Sequence, residues 1–225
     1  MGNNIEYLGI KPVIFKKVMS LYLKRTLDLV FSCFLLFVLW PLYLLIALLI
    51  KLYSPGSVIF RQKRVGKNGG IFVTYKFRTM KEGAESELYK YMHLNEAKGP
   101  VFKMHYDPRL TKLGRFLRDT NLDELPQFIN VIKGDMSLIG PRPALPQEVS
   151  KYTPRQEERL RVKPGIASLI HAEGRYFIGV DFDKWLDYDL FYIQHQSFFM
   201  DLNIISRLII RTSIHFFKKI LFLYP

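Results

Sequence analysis

From Leu29 to Ile50 the chain runs for 22 residues without a charged side chain. As one straight helix the stretch would measure roughly 33 Å, enough to cross the hydrocarbon core of a bilayer. It starts too late and runs too long for the apolar part of a cleavable leader, and no small-x-small pattern follows it. Two features oppose a plain span. Lys16, Lys17, Lys24 and Arg25 precede it and Lys51, Arg61, Lys63, Arg64 and Lys67 follow it, so the cytoplasmic preference of basic flanks applies at both ends. Pro41, near the middle, removes one backbone donor and clashes with the carbonyl four residues earlier, which bends a helix. The sequence therefore predicts a re-entrant helix hairpin over residues 26–52 that dips into one leaflet and returns. The carbonyls freed near Trp40 need partners within the protein, because lipid offers none.

The remainder of the 225 residues suffices for one compact domain with appendages, which excludes a many-span transporter. Thirty-three Lys and Arg against 20 Asp and Glu leave a net charge of +13, so the partner is anionic: acidic headgroups, a phosphorylated small molecule or nucleic acid. Nucleic acid is set aside, since no helix-turn-helix, zinc spacing or aromatic RNA-binding motif is present and the apolar run would go unexplained. The single cysteine, Cys33, excludes an internal disulfide and a cysteine-based zinc cluster. Residues 204–225 read as a basic amphipathic helix, with Arg207, Arg211, His215 and Lys218 spaced by four, four and three among isoleucines and phenylalanines. Residues 1–25 contain a weaker version, with Lys16, Lys17 and Lys24 beside Val13, Ile14 and Val18. Between these parts, residues 53–203 form the central domain. Its residues 58–80 predict a β-hairpin turning at Gly66–Gly70, with Arg61 and Lys63 on one face of the first strand and Lys76 and Arg78 on one face of the second. Residues 109–118 predict a helix whose arginines are ordinary surface charge. The fold class that follows is α+β, mostly helical, with interfacial amphipathic helices, a re-entrant pair and a small β-hairpin.

The string from Thr120 to Pro143 carries the chemistry. Pro126 lacks an N–H and belongs in a first helical turn, which predicts Asp123 at or next to an N-cap. An Asp–Glu pair at a helix start is by itself an ordinary cap. Here Arg118 lies five residues before Asp123, and Arg142 is held between Pro141 and Pro143 on a stiff loop. Rigid arginines beside backbone N–H groups suit phosphate. A carboxylate among them stays ionised and can bind a divalent cation or attack phosphorus, and Glu124 can share the metal or move a proton. A competing pattern is Asp181-Phe182-Asp183, a D-x-D of the kind that holds a metal and a nucleotide sugar in ordinary glycosyltransferases. An inactive membrane-anchored scaffold is a further alternative.

LDELPQ (Leu122–Gln127), GDMSLIGPRP (Gly134–Pro143), KRTLD (Lys24–Asp28), FRQKRVG, YKFRTM, DPRLTKLGRFLR (Asp107–Arg118) and KPGI (Lys163–Ile166) together resemble the bacterial sugar transferases, whose small members are the monotopic phosphoglycosyl transferases. The likeness covers about residues 20–215 in order and resembles the minimal catalytic unit without a multi-span amino-terminal domain. It implies transfer of a sugar-1-phosphate from a UDP-sugar to a polyprenyl (undecaprenyl) phosphate with release of UMP, at the cytoplasmic face of the bacterial inner membrane. Such a step opens assembly of a capsule, O-antigen, exopolysaccharide or glycoprotein glycan. It also implies Asp123 as nucleophile, Glu124 as second member of the dyad, both holding Mg²⁺ or Mn²⁺, with Arg118 and Arg142 as phosphate or nucleotide ligands. Lys76 and Arg78 join that candidate set. Anionic membrane lipid is an expected partner, and a homodimer or downstream glycosyltransferases are compatible ones. After KPGI the family commonly continues Thr-Gly and ends Asn-Gly-Arg, whereas Ala167, Ser168, Ile170, His171 and Glu173 precede Gly174 and Arg175 here, so the sugar pocket departs from the pattern. The five histidines lack metal spacing, and His171 is the one placed to meet a sugar.

Overall fold

The computed structural model describes residues 12–174 and 181–220, with side chains from 19 to 174 and from 181 to 214. Residues 1–11, Arg175, and the side chains of Lys16, Lys17, His215 and Lys218 are outside that set. Helices α1 (Pro12–Val38) and α2 (Trp40–Tyr53) lead into the antiparallel hairpin β1 (Ile59–Val65) and β2 (Ile71–Phe77). Helices α3 (Lys112–Asp119) and α4 (Gln127–Lys133) follow, then strand β3 (Ser137–Ile139) and the single turns α5 (Pro146–Val149) and α6 (Pro154–Glu157). Strand β4 (Gly165–Ala167), α7 (Leu169–Ala172), α8 (Phe182–His195) and α9 (Phe198–Ile220) complete the order. The class is α+β with helices dominant.

The uncharged run is two helices that bend by 62° at Leu39, whose φ of −92° and ψ of 6° leave the helical path. Pro41 sits in the first turn of α2, where a missing N–H is harmless. The break is bridged by Leu39 N–H donating to the Leu35 carbonyl at 2.9 Å and Tyr43 N–H donating to the Leu39 carbonyl at 3.0 Å. No single described helix is long and apolar enough to cross a membrane; only the bent pair passes that test together. Helix α1 continues unbroken through residue 25, joining the basic amino-terminal segment to the first arm.

Burial on α1 is inverted relative to a water-soluble helix, and α2 leaves most of its leucines uncovered. Lys24, Asp28 and Ser32, spaced by four, are buried, while Tyr22, Phe34 and Phe37 of the same helix are 70%, 58% and 78% exposed. Helix α2 buries Ile46 and Ile50 and exposes Leu44, Leu45, Leu48 and Leu52. The buried polar groups are anchors. Lys24 donates to the Asp201 carboxylate on α9 and to the Ile139 carbonyl at 3.2 Å. Asp28 accepts from Ser137 Oγ at 2.8 Å and Leu138 N–H at 3.0 Å. Arg25 closes the last turn of α4 through the carbonyls of Val131 and Ile132, at 2.7 and 3.1 Å.

The rest of the core lies on either side of this anchor. Phe128, Leu138, Ile139, Tyr192 and Ile204 pack behind α1, and Ile46, Ile50, Phe77 and Leu117 seat α2. Strands β3 and β4 form a second, parallel pair, with Ser137 opposite Gly165 and Ile139 opposite Ala167, which three-residue strands gave no periodicity to reveal. A Cβ on Gly165 would sit 2.1 Å from the Gly140 nitrogen, so only glycine permits that approach.

Helix α3 begins at Lys112 rather than Arg109, because Thr111 takes the cap, its Oγ1 accepting from Gly114 N–H at 2.8 Å. Arg109, expected at the surface, is buried and gripped by Asp107 through bonds of 2.9 and 2.7 Å.

Candidate active site

Asp123 is not an N-cap. After α3, Asn121 adopts the left-handed conformation (φ 56°) and turns the chain into a 3-10 turn, Leu122–Glu124; α4 starts only at Gln127, with Pro126 at its cap. The reason is packing. Leu122 and Leu125, three apart and so aligned on a 3-10 turn, settle against the core that seats α2, which leaves Asp123 and Glu124 directed the other way. The site is tied to the apolar helices at this point, since Tyr43 Oη of α2 donates to the Leu125 carbonyl at 2.7 Å.

Lys76 of β2 projects onto the dyad, its Nζ 2.5 Å from Glu124 Oε1. Asp123 is buried, and burial pushes its carboxyl up to about 6; Lys76 opposes the rise, the neighbouring Glu124 charge adds to it, and Arg118 opposes it. The expectation of a carboxylate held ionised by arginines is therefore corrected in part: it ionises, but only above about pH 6, because desolvation exceeds the attraction of the cations. Burial acts in the same upward sense on Glu124, yet there the Lys76 ammonium prevails and the carboxyl lies below the usual range. Two adjacent carboxylates thus have their ionisations driven apart, Asp123 upward and Glu124 downward, as at sites where neighbouring carboxyls take different roles.

Arg118 extends from the last turn of α3 with Nη1 3.9 Å from Asp107 Oδ2, so Asp107 orients it as well as Arg109. Arg142 lies on the loop after β3, Nη1 3.7 Å from Glu148 Oε1 and its guanidinium 5.9 Å from the Trp185 ring centre. It lowers the pKa of the Glu124 carboxyl, favouring its ionised form, and so shares the field of the dyad. Arg78 does not enter this cluster: its guanidinium donates to the Ser54 carbonyl at 2.8 Å and to the Pro55 carbonyl, clasping the end of α2. One residue beyond β2, it has left the strand face that carries Lys76. Asp181, the first member of the D-x-D, caps α8 by accepting from Asp183 N–H at 3.0 Å.

From sequence, Arg64 is only a flanking charge, Lys103 is not among the site candidates, and His171 is only a residue that could meet the sugar. Arg64 is buried on the same hairpin face as Lys76, donates to the Pro143 carbonyl at 2.9 Å, and is lowered to about 9 by burial and by Arg142. The strand register counted back from Lys76 would have found it. Lys103 is lowered to about 8 by burial, Arg142 and Arg118, and nothing in its neighbours Val101, Phe102 and Met104 marked it as a site residue. His171 accepts the Ser168 N–H at Nδ1 (3.0 Å), and burial pushes it down to about 4, with Glu124 opposing and Lys103, Arg142 and Lys76 reinforcing. It is neutral at physiological pH, with its proton on Nε2. The group is a carboxylate pair, Asp123 buried and Glu124 partly exposed, in the field of Lys76, Arg118, Arg142 and Arg64, an arrangement that can receive phosphate esters and offer one oxygen nucleophile. A separate open groove of about 460 Å³ between α7, α8 and α9 is lined by Leu169, Tyr188, Phe191, Met200 and Ile204.

Comparison with known proteins agrees with this chemistry. A family model described as bacterial sugar transferase matches residues 19–217. The galactosyl transferase CpsE of Streptococcus agalactiae is 48% identical over 150 residues, covering 67% of this chain and 33% of the relative. The undecaprenyl-phosphate galactose phosphotransferase of Salmonella typhimurium is 38% identical over 197 residues, covering 84% and 40%. The exopolysaccharide production protein ExoY of Rhizobium meliloti is 37% identical over 190 residues, covering 83% of each chain. The chain thus spans two fifths or less of the first two relatives and most of the third. With the matched segment enclosing α2, the hairpin, the dyad and most of α9, the chain belongs to the bacterial sugar transferase family.

Proposed function

We propose that this chain is a phosphoglycosyl transferase that moves a sugar-1-phosphate from a UDP-sugar to a polyprenyl phosphate through an aspartyl intermediate on Asp123. The observation that carries the reading is a buried carboxylate that ionises near neutrality, among Lys76, Arg118 and Arg142, two residues before a carbonyl bonded by Tyr43 of α2, the apolar helix that exposes Leu44, Leu45, Leu48 and Leu52. In the first step an Asp123 oxygen attacks the sugar-bearing phosphorus, the bond from that phosphorus to the bridging oxygen breaks, and UMP leaves with the bonding pair. In the second, an oxygen of the lipid phosphate attacks the same phosphorus and the carboxylate departs. Both steps exchange bonds of similar energy and need no added ATP. Lys76 keeps Glu124 charged, and Arg118 and Arg142 offset the negative charge gathered at phosphorus.

Mg²⁺ or Mn²⁺ fits the donor set, and Asp123 and Glu124 would hold it. Two adjacent carboxylates without a third His, Cys, Asp or Glu among the described residues suit an ion that retains water and takes further oxygens from substrate phosphates. Such an ion supplies charge neutralisation at the diphosphate. Incubation with UDP-sugar and divalent metal, without lipid acceptor, should leave the intact protein heavier by one sugar phosphate. Asp123→Asn should lose that adduct and at least about 10³-fold in turnover. Normal UMP release with no mass on Asp123 would refute the reading.

The apolar helix pair supports a place on one leaflet, with basic flanks and catalytic groups on the cytoplasmic side and anionic lipid against those flanks. In a Cys33→Ala background, Met19→Cys and Lys67→Cys should both resist an impermeant maleimide in intact cells and both react after permeabilisation. Reaction of one end in intact cells would establish a crossing instead.

A further inference from the structure

The β1–β2 hairpin has two open edges, and both are occupied. Gly66 N–H donates to Gly70 and Arg78 N–H to Val58, so the bonded cross-strand pairs fall at alternate positions. Tyr75 and Val73 belong to the other set, and the N–H of the first and the carbonyl of the second point away from β1. Asn130 of α4 meets both, although it lies more than fifty residues away. Its Oδ1 accepts from Tyr75 N–H at 3.1 Å, and its Nδ2 donates to the Val73 carbonyl at 2.7 Å and to Asp135 Oδ2 at 3.1 Å. The side chain is fully buried, and it pairs with β2 as a further strand would. Lys133, one turn on, adds a bond of 2.8 Å to the Tyr75 hydroxyl. On the opposite edge Val65 N–H donates to the Ala144 carbonyl and Arg64 to the Pro143 carbonyl, both at 2.9 Å, which fastens the loop that carries Arg142.

We propose that Asn130 is a positioning residue: by completing the free edge of β2 it sets Lys76 against Glu124. Lys76 directly follows Tyr75, and Glu124 lies one turn ahead of α4, so the Asn130 carboxamide closes a ring whose last link is the Lys76–Glu124 pair. Lysine is a flexible point charge on a four-carbon stem, and its partner is decided by where the backbone places its root. The hairpin acts as a spacer between the dyad on one edge and Arg142 on the other. The effect on turnover rests on the transferase reading above; the placement of Lys76 does not.

The test compares wild type, Asn130→Ala and Asn130→Asp, as full chains in nanodiscs. Acylation of Lys76 by an amine-reactive ester is read by peptide mass spectrometry against the exposed Lys63. Loss of the clasp should raise the Lys76 to Lys63 labelling ratio roughly tenfold, the scale of one charge-assisted hydrogen bond. Asn130→Asp keeps the size and the bond to Tyr75 but sets a carboxylate against the Val73 carbonyl and Asp135; it should give a smaller rise, and it carries the comparison if the alanine variant does not fold. In turnover, Asn130→Ala should lower kcat more than it raises KM, and adding it to Lys76→Ala should cost less than about twofold further. An unchanged labelling ratio in a variant that melts like wild type, or fully multiplicative losses in the double variant, would overturn the proposal. Wild type that releases no UMP while Asn130→Ala still exposes Lys76 would refute the transferase reading and leave the positioning intact.

Discussion

Asp123→Asn should make the folded protein more stable at pH 7.5 while abolishing turnover. Burial raises this carboxyl to about 6 against an ordinary value near 3.8, so the native state binds its proton more tightly than the unfolded chain. The sign follows from that difference. Below about pH 4 the group is protonated in both states and costs nothing. As pH rises from about 4 to 6 the unfolded chain ionises first and native stability falls. Above about 6 the loss is complete, on the order of 2–3 kcal/mol. Asparagine is close in shape to the protonated acid and carries no such dependence. In metal-free buffer the variant should therefore melt several degrees above wild type at pH 7.5, with the gap closing at pH 4. A gap that stays constant with pH would show that Asp123 does not ionise at a desolvated site. On the proposed reading, stability given up in the ground state would become reactivity at one oxygen.

Lys24→Met should produce the largest loss of stability. Lys24 is the buried partner of Asp201, and Tyr192 Oη supplies the other bond to that carboxylate at 2.8 Å. Burial already raises the Asp201 carboxyl, and Lys24 is the first group that opposes the rise. Without the ammonium a buried carboxylate is left with one neutral donor, a change that costs about 3–5 kcal/mol. That corresponds to an apparent melting temperature lower by on the order of 10 °C for a domain of this size. Because Lys24 also donates to the Ile139 carbonyl, the anchor between α1 and α9 should loosen with it. The double variant Lys24→Met/Asp201→Leu should recover most of the loss, since removing both charges removes the desolvation cost as well. If Lys24→Met melts like wild type, the pair does not hold the apolar helices to the catalytic domain.

The two predictions separate what could be read along the chain from what could not. The uncharged run, its proline and its basic flanks announced a bent apolar helix pair, and the structure has it, bent at Leu39. The β-hairpin was equally legible, because glycines and Asn68 mark its turn and the flanking residues favour strands. The dyad and its arginines stood out through spacing and family likeness. Each of these rests on interactions within a few residues, where turn chemistry and steric rules act. The sequence alone could not tell that Lys24 and Arg25, read as flanking charges for the membrane face, are fasteners, Lys24 buried and Arg25 partly so, or that Arg78 clasps the end of α2 while Arg64 turns towards Arg142. Nor could it place Asp123 off the helix cap and raise its carboxyl above Glu124's. The fastening of Lys24, Arg25 and Arg78 depends on partners 23 to 177 residues distant, and the shift at Asp123 on how much water it loses when Lys76 and its own neighbours meet it. Local order was written in the residues themselves; the ionisation of Asp123 and Glu124 and the orientation of the groups around them were decided by burial and by neighbours that only the folded chain brings together.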